Sequence, residues 1–253
     1  MQTILITLAY DGGQYHGWQR QTHSKSVQEV VERALSKVYR QNIQIEASGR
    51  TDAGVHAYGQ TATFEVESTF PIENLKLVVN RILPLDIFIT QAMQVPEGFH
   101  ARYHAVGKTY EYHMIMSETR DPFKQRFAHQ VTKALNIDMI REAIPHFLGT
   151  HDFRTFMASG SQIQDTVRTV YAFELAVEGD ELKFKITGDG FLYNMVRIII
   201  GTLIHVGQGK ISPCDVTDII NSGDRNKAKY TAPACGLYLS RVYYDVDELK
   251  HQK

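Results

Sequence analysis

Residues 47–57 read Ala-Ser-Gly-Arg-Thr-Asp-Ala-Gly-Val-His-Ala. Asp52 stands two residues from Arg50 and between Gly49 and Gly54. Glycines permit backbone angles and close ligand approach that other residues resist. Were Arg50 and Asp52 to share a face, the guanidinium would keep the carboxylate ionised inside a cleft. An ionised carboxylate is what a nucleophile or a general base requires. A turn aspartate beside a surface arginine would give the same local pattern, because Asp and Gly are common turn formers.

Two further segments carry candidate chemistry. Arg197 lies within Met195-Val196-Arg197-Ile198-Ile199-Ile200, in a stretch apolar nearly all round, which predicts a buried helix. A buried guanidinium without a partner is costly, so a carboxylate or phosphate should face it. The alternative is an arginine that snorkels to the surface from a helix edge. In Lys108-Thr109-Tyr110-Glu111-Tyr112-His113, an extended strand turns Lys108, Tyr110 and Tyr112 one way. A basic and aromatic face suits an unstacked base beside a phosphate backbone, although strands favour aromatic residues without any ligand. Gly207-Gln208-Gly209-Lys210 lacks the spacing of a phosphate-binding loop, and a helix C-cap explains it better. The 11 histidines are scattered, with no HExxH or paired Cys-His spacing, so no metal site is expected.

These residues must be positioned by a chain of 253 residues, long enough for one large domain or two ordinary ones. An apolar fraction of 43% and a charged fraction of 22% are near the norm for a folded chain. Cys214 and Cys235 make no disulfide framework and read as reduced thiols. Residues 1–6 lack the basic flank and cleavage site of a secretory leader. The most apolar stretch, residues 191–206, is too short for a bilayer and holds Arg197 and His205. Cytoplasm and no membrane are therefore expected. Net charge is −1; residues 1–105 hold 9 Lys+Arg against 10 Asp+Glu, and the remainder 18 against 18. Any RNA-binding surface must therefore gather its positive charge locally.

Element by element, residues 4–9 predict a strand that ends in the turn signal Tyr10-Asp11-Gly12-Gly13. Ser26-Val27-Gln28-Glu29 fits a capping box. Val27, Val30, Val31, Ala34, Leu35 and Val38 then recur at helical spacing. A short strand over 43–45, a loop over 48–60 and a strand over 61–66 follow. Pro71 opens a second helix carrying Leu75, Val78, Val79 and Ile82, before a strand over 87–93. That order is β-α-β-β-α-β, the split βαβ pattern. Beyond it, strands are expected over 107–115, 167–177, 181–187 and 237–244, and helices over 137–147, 192–206 and 213–221. Residues 159–165 are the expected disordered stretch. The pattern predicts two α+β halves, residues 1–104 and 105–253, each ferredoxin-like or RRM-like, with mixed, mainly antiparallel sheets flanked by helices.

Taken together, the chain resembles the TruA-type tRNA pseudouridine synthases along nearly its whole length. The resemblance begins at Tyr10-Asp11-Gly12 and Gly17-Trp18-Gln19-Arg20. It runs through the Asp52 segment, Lys108-Thr109-Tyr110-Glu111-Tyr112 and Gly149-Thr150-His151-Asp152-Phe153. It ends with residues 191–201 and Ala232-Pro233-Ala234-Cys235-Gly236-Leu237-Tyr238-Leu239. It implies conversion of uridine to pseudouridine in the tRNA anticodon stem-loop, at positions 38, 39 and 40 in tRNA numbering. Asp52 would be the catalytic aspartate and Tyr110 the tyrosine packed on the target base. Arg197 would pair with the aspartate, and Arg50 would help extrude or hold the nucleotide. Lys108 joins them as a candidate RNA contact. The resemblance further implies a homodimer, two halves around a central basic RNA-binding cleft, and no cofactor or metal. Two alternatives remain at this level: a paralogous synthase acting on another RNA, and a non-catalytic RNA-binding protein that keeps the fold.

Overall fold

A computed structural model describes residues 1–160 and 163–250. The strands in chain order are β1 (Gln2–Tyr10), β2 (Glu46–Ala47), β3 (His56–Val66), β4 (Ile87–Val95), β5 (Gly107–Met116), β6 (His129–Val131), β7 (Gly149–Asp152), β8 (Val167–Glu178), β9 (Glu181–Gly188) and β10 (Leu237–Tyr243). The α-helices are α1 (Val27–Tyr39), α2 (Ile72–Asn80), α3 (Ile137–Ala143), α4 (Met195–Gly207), α5 (Asp215–Asn221) and α6 (Val246–Lys250). They form two compact units. The first comprises Met1–Ala105 with Tyr238–Tyr244, the second Val106–Leu237 with Asp245–Lys253. The fold is α+β, with mainly antiparallel strand pairs and helices alongside.

In the first unit β1 pairs antiparallel with β3 and with β4, and β2 pairs antiparallel with β3. The order β4-β1-β3-β2 is the split βαβ arrangement that the element order predicts. Ser26 caps α1, its Oγ accepting from Glu29 N–H at 3.3 Å, a contact that contributes about 1 kcal/mol. The apolar stripe Val27, Val31, Ala34 and Leu35 is buried. Tyr39 at the end of α1 meets Phe64 of β3 edge-on at 5.8 Å, which fixes the sheet face that the helix covers.

Two expectations in this unit are corrected. No strand forms over 43–45. Ile43 and Ile45 are buried, but Ile45 N–H donates to Glu32 Oε1 at 3.0 Å and Ile43 N–H to Ser36 Oγ at 2.9 Å. Side chains of α1 thus take the donors that a ladder would use, and pairing waits until Glu46 and Ala47. The expected loop over 48–60 ends early, because β3 begins at His56. There β10 pairs with it in parallel, Tyr238 opposite His56 and Leu239 opposite Ala57. Gly59 permits the approach: a Cβ on it would lie 2.4 Å from the Ser240 carbonyl oxygen. The strand expected over 237–244 therefore joins the first unit, although a linear division of the chain groups it with the second.

In the second unit β9 lies between β5 and β8, antiparallel to both, and β7 extends the sheet beyond β8. Strands β5, β9 and β8 repeat the first-third-second order of β1, β3 and β2. The short strand β6 pairs in parallel with β5. At three and four residues, β6 and β7 are too brief for alternation to reveal. A chain of rings fills the core: Phe153–Phe156, Phe156–Phe147, Phe147–Phe173 and Phe173–Phe184, with centroids 5.5 to 6.4 Å apart. The helix expected over 137–147 stays α-helical to Ala143 and tightens to a 3-10 turn over Ile144–Phe147, where Pro145 lacks the N–H to continue it. The stretch expected to be disordered, 159–165, includes Ser161 and Gln162, which lie outside the described residues. No helix among the described residues is long and apolar enough to cross a membrane.

Candidate active site

The Asp52 segment joins β2 to β3 and is held on both sides of the aspartate. Thr51 C=O accepts from Trp18 N–H at 3.0 Å, and Gly54 N–H donates to Tyr15 C=O at 3.3 Å. Val55 N–H donates to Asp52 C=O at 3.1 Å and closes the turn. Gly54 has φ 78°, in the left-handed region that favours glycine. Below the turn, Thr51 Oγ1 lies 2.8 Å from the Tyr10 hydroxyl. Burial pushes the Tyr10 hydroxyl pKa up, partly opposed by its hydrogen bonds to Thr51 and Gln60. Asp52 is half-buried and Arg50 exposed. An arginine on the surface beside a held carboxylate is free to reach a ligand rather than serve the core.

His56 anchors the far side. Its ring is 1% exposed and stacks on Tyr238 at 4.7 Å, and Tyr238 stacks on Tyr58 at the same spacing. Gly12 N–H donates to His56 Nδ1 at 3.1 Å, and the Asp11 carboxylate lies 3.1 Å from the same nitrogen. The turn at Gly12 approaches so closely that a Cβ there would lie 1.9 Å from the Val55 carbonyl oxygen. The Tyr10-Asp11-Gly12 turn and the Asp52 segment are thus one packed structure, with no room for a side chain at position 12.

The second unit holds the other candidates. Tyr110 on β5 is 9% exposed and meets Phe191 edge-on at 5.1 Å. Lys108 is half-buried on the same strand. Tyr112 donates to Pro233 C=O at 2.9 Å. Its hydroxyl pKa is raised mainly by burial and also by Cys235 and Tyr230, while the positive charge of Arg197 lowers it. Arg197 is in the first turn of α4, which starts three residues later than expected because Asn194 is left-handed at φ 60°. The guanidinium donates from Nε to Ala232 C=O at 2.7 Å and from Nη1 to Asn194 Oδ1 at 2.8 Å. The group is half-buried, and these two contacts fix its plane. The Ala232 segment lies tightly along α4: a Cβ on Gly201 would be 2.0 Å from the Tyr230 carbonyl oxygen.

The structure therefore gathers Asp52 and Arg50 on one loop of the first unit. It places Lys108, Tyr110 and Arg197 in the second. Sequence reasoning missed Tyr10, Gln60 and Asn194, the polar residues that hold these groups. Gln60 was legible only as the end of a polar loop. No group of three His, Cys, Asp or Glu side chains that could hold a metal ion occurs among the described residues.

Comparison with known proteins now bears on this geometry. The model of the tRNA pseudouridine synthase family matches residues 6–104 and 143–245. A relative from Ruminiclostridium cellulolyticum, tRNA pseudouridine synthase A, is 45% identical over 245 residues, covering 96% of this chain and 100% of its own. The chain belongs to the tRNA pseudouridine synthase family. The Bacillus subtilis protein of the same name is 44% identical over 244 residues, covering 96% of this chain and 99% of its own. A solved H/ACA ribonucleoprotein with a substrate RNA containing 2′-deoxyuridine matches at 16% identity and a TM-score of 0.41, over 81% of this chain and 42% of that one; so distant a likeness carries no argument. The family match includes the Asp52 loop, with Arg50, and the start of α4 with Arg197. Lys108 and Tyr110 fall between its two spans.

Proposed function

We propose that the protein isomerises uridine to pseudouridine in the anticodon stem-loop of tRNA, at positions 38, 39 and 40, with Asp52 as the catalytic carboxylate. The observation that carries this reading is the Asp52 loop, anchored on both sides within a chain that belongs to the family over its length. The reaction breaks the bond between ribose C1′ and uracil N1 and joins C1′ to C5. Nothing is added or removed overall, so no cofactor is required. An ionised carboxylate can begin it by adding to C1′ or to C6, or by taking the C2′ proton. All three routes require a carboxylate held in a fixed place.

The remaining candidates serve access and charge. Extruding a base from a stem costs a few kcal/mol. Arg50, exposed beside Asp52, helps extrude or hold the nucleotide. Tyr110 packs on the flipped uracil, and Lys108 meets phosphate. Arg197, its plane fixed by Ala232 and Asn194, orients Asp52 and keeps it ionised. One proton leaves C5 after the new bond forms, and the Tyr110 hydroxyl is the candidate acceptor. Phosphate contacts supply much of the affinity, so binding weakens as salt rises. The synthase acts in the cytoplasm as a homodimer, a state for which the family resemblance is the support and light scattering the check.

The test is tritium release from tRNA labelled at uridine C5, in EDTA, with wild type and Asp52→Ala side by side. Release by wild type alone, mapped to positions 38–40, supports the reading. Release that maps elsewhere moves the substrate to another site. No release from unmodified tRNA by either protein overturns the reading and leaves a binding role.

A further inference from the structure

We infer that Gln60 is a positioning residue for the catalytic loop, acting through Ser48 and Gly49, with Tyr10 holding Thr51 beside it; the inference rests on the reading of Asp52 above. Gln60 is wholly buried on β3. Its Oε1 accepts from Ser48 Oγ at 2.8 Å and from Thr61 N–H at 3.1 Å. Its Nε2 donates to Gly49 C=O at 2.9 Å. Next to it, the buried Tyr10 hydroxyl meets Thr51 Oγ1 at 2.8 Å.

The amide thus holds residues 48 and 49 directly, and the Tyr10 hydroxyl holds residue 51. These residues bracket Arg50 and lead into Asp52. The orientation of the amide is unique. Exchanging its oxygen and nitrogen would set an NH2 against Thr61 N–H and an oxygen against Gly49 C=O, and a buried donor facing a donor is costly. Trp18 N–H and Val55 N–H hold the backbone at Thr51 and Asp52. Gln60 and Tyr10 add the side-chain brace that stops this strand-to-loop junction from rocking. A displacement near 1 Å of a catalytic group costs about 10²-fold in rate. The brace should therefore act on the chemical step rather than on tRNA affinity.

The test compares single-turnover rate at saturating enzyme with tRNA Kd for wild type, Asp52→Ala, Gln60→Leu and Tyr10→Phe. Gln60→Leu removes every contact of the amide; Tyr10→Phe removes one hydroxyl and keeps the ring. The expected result is a rate lower by about 10²-fold for Gln60→Leu and about tenfold for Tyr10→Phe, with Kd within about twofold of wild type. Rates within twofold of wild type in the folded variants overturn the inference. So does a loss of affinity equal to the loss of rate. If Gln60→Leu does not fold, Gln60→Asn, which keeps an amide but shortens its reach, decides in its place by the same criteria. Turnover by Asp52→Ala overturns the underlying reading and this inference with it. An inactive Asp52→Ala beside unimpaired Gln60 and Tyr10 variants overturns this inference only.

Discussion

The Asp52 loop of the first unit and the start of α4 in the second each present a charged side chain from a turn, yet they are held differently. The loop is braced by Tyr10, Gly12, Tyr15 and Trp18, far before it in sequence, and by Gln60 close after it. Arg197 is oriented by its own helix cap, Asn194, and by one carbonyl on the segment along the helix, Ala232. The backbone path of the Asp52 loop is a product of tertiary closure. The guanidinium's plane is set by one contact at its own helix start and one to a segment 35 residues away. Damage to the turn over 10–18 should therefore disturb the Asp52 loop, and damage at Asn194 the guanidinium.

The largest expected effect that separates the two is Gly12→Ala. The new Cβ would sit 1.9 Å from a backbone oxygen of the Asp52 segment, and backbone can yield only by moving the loop. Destabilisation of about 3 kcal/mol is expected by urea titration, with turnover falling further than stability alone explains. Unchanged turnover in the folded fraction would break the claim of closure. Next is Arg197→Lys, which keeps the charge but loses the planar fork. A rate loss of about 10- to 100-fold is expected with stability changed by under about 1 kcal/mol; a wild-type rate would show that charge alone suffices.

Asn194 sharpens the local half of the comparison. Asn194→Ala places a side chain without polar atoms in the left-handed region, costing about 1 kcal/mol. Asn194→Gly tolerates the backbone and removes only the amide contact to Arg197. The glycine variant should match wild type in stability and fall a few-fold in rate, as read by thermal melts and single-turnover assays. Equal rates for Gly and wild type would mean that Asn194 serves backbone geometry alone.

The smallest effect is a control away from the site. Among the described residues the buried Tyr39 hydroxyl has no hydrogen-bond partner, and burial pushes its pKa up to about 12. Tyr244 is also raised to about 12, by burial against an opposing bond to Thr61. A folded-state pKa above the ordinary 10.0 means the neutral form is favoured by folding. That stability is fully present below pH 10 and is lost as pH rises toward 12. Tyr39→Phe should be neutral or slightly stabilising at pH 7 and should lose less stability over pH 10 to 12. A steeper alkaline loss in the variant would contradict this account.

The sequence was legible wherever one period governed a segment. The capping box at Ser26 and the stripe from Val27 to Leu35 marked α1, and the strand expected over 61–66 lies within β3. Legibility failed where a side chain replaced a backbone partner. Ile43 and Ile45 alternate like a strand, yet Ser36 and Glu32 take their N–H groups. Residues 56–60 read as loop because the stretch from 48 is rich in Gly and polar residues, whereas Gly59 admits β10 from far later in the chain. Asp52, Arg197 and Tyr110 could be chosen from residue type and resemblance. Gln60, Tyr10 and Asn194 could not, because their role lies in hydrogen bonds that exist only once the chain has folded.

The central claim is that Asp52 carries the reaction and does not merely bind RNA. The most direct measurement is Asp52→Asn, a near-isosteric loss of charge, assayed for tRNA Kd and for pseudouridine formation under the same conditions. The account predicts binding within about twofold of wild type and turnover reduced by about 10⁴-fold or more. Turnover near the wild-type rate would place the chemistry on another residue.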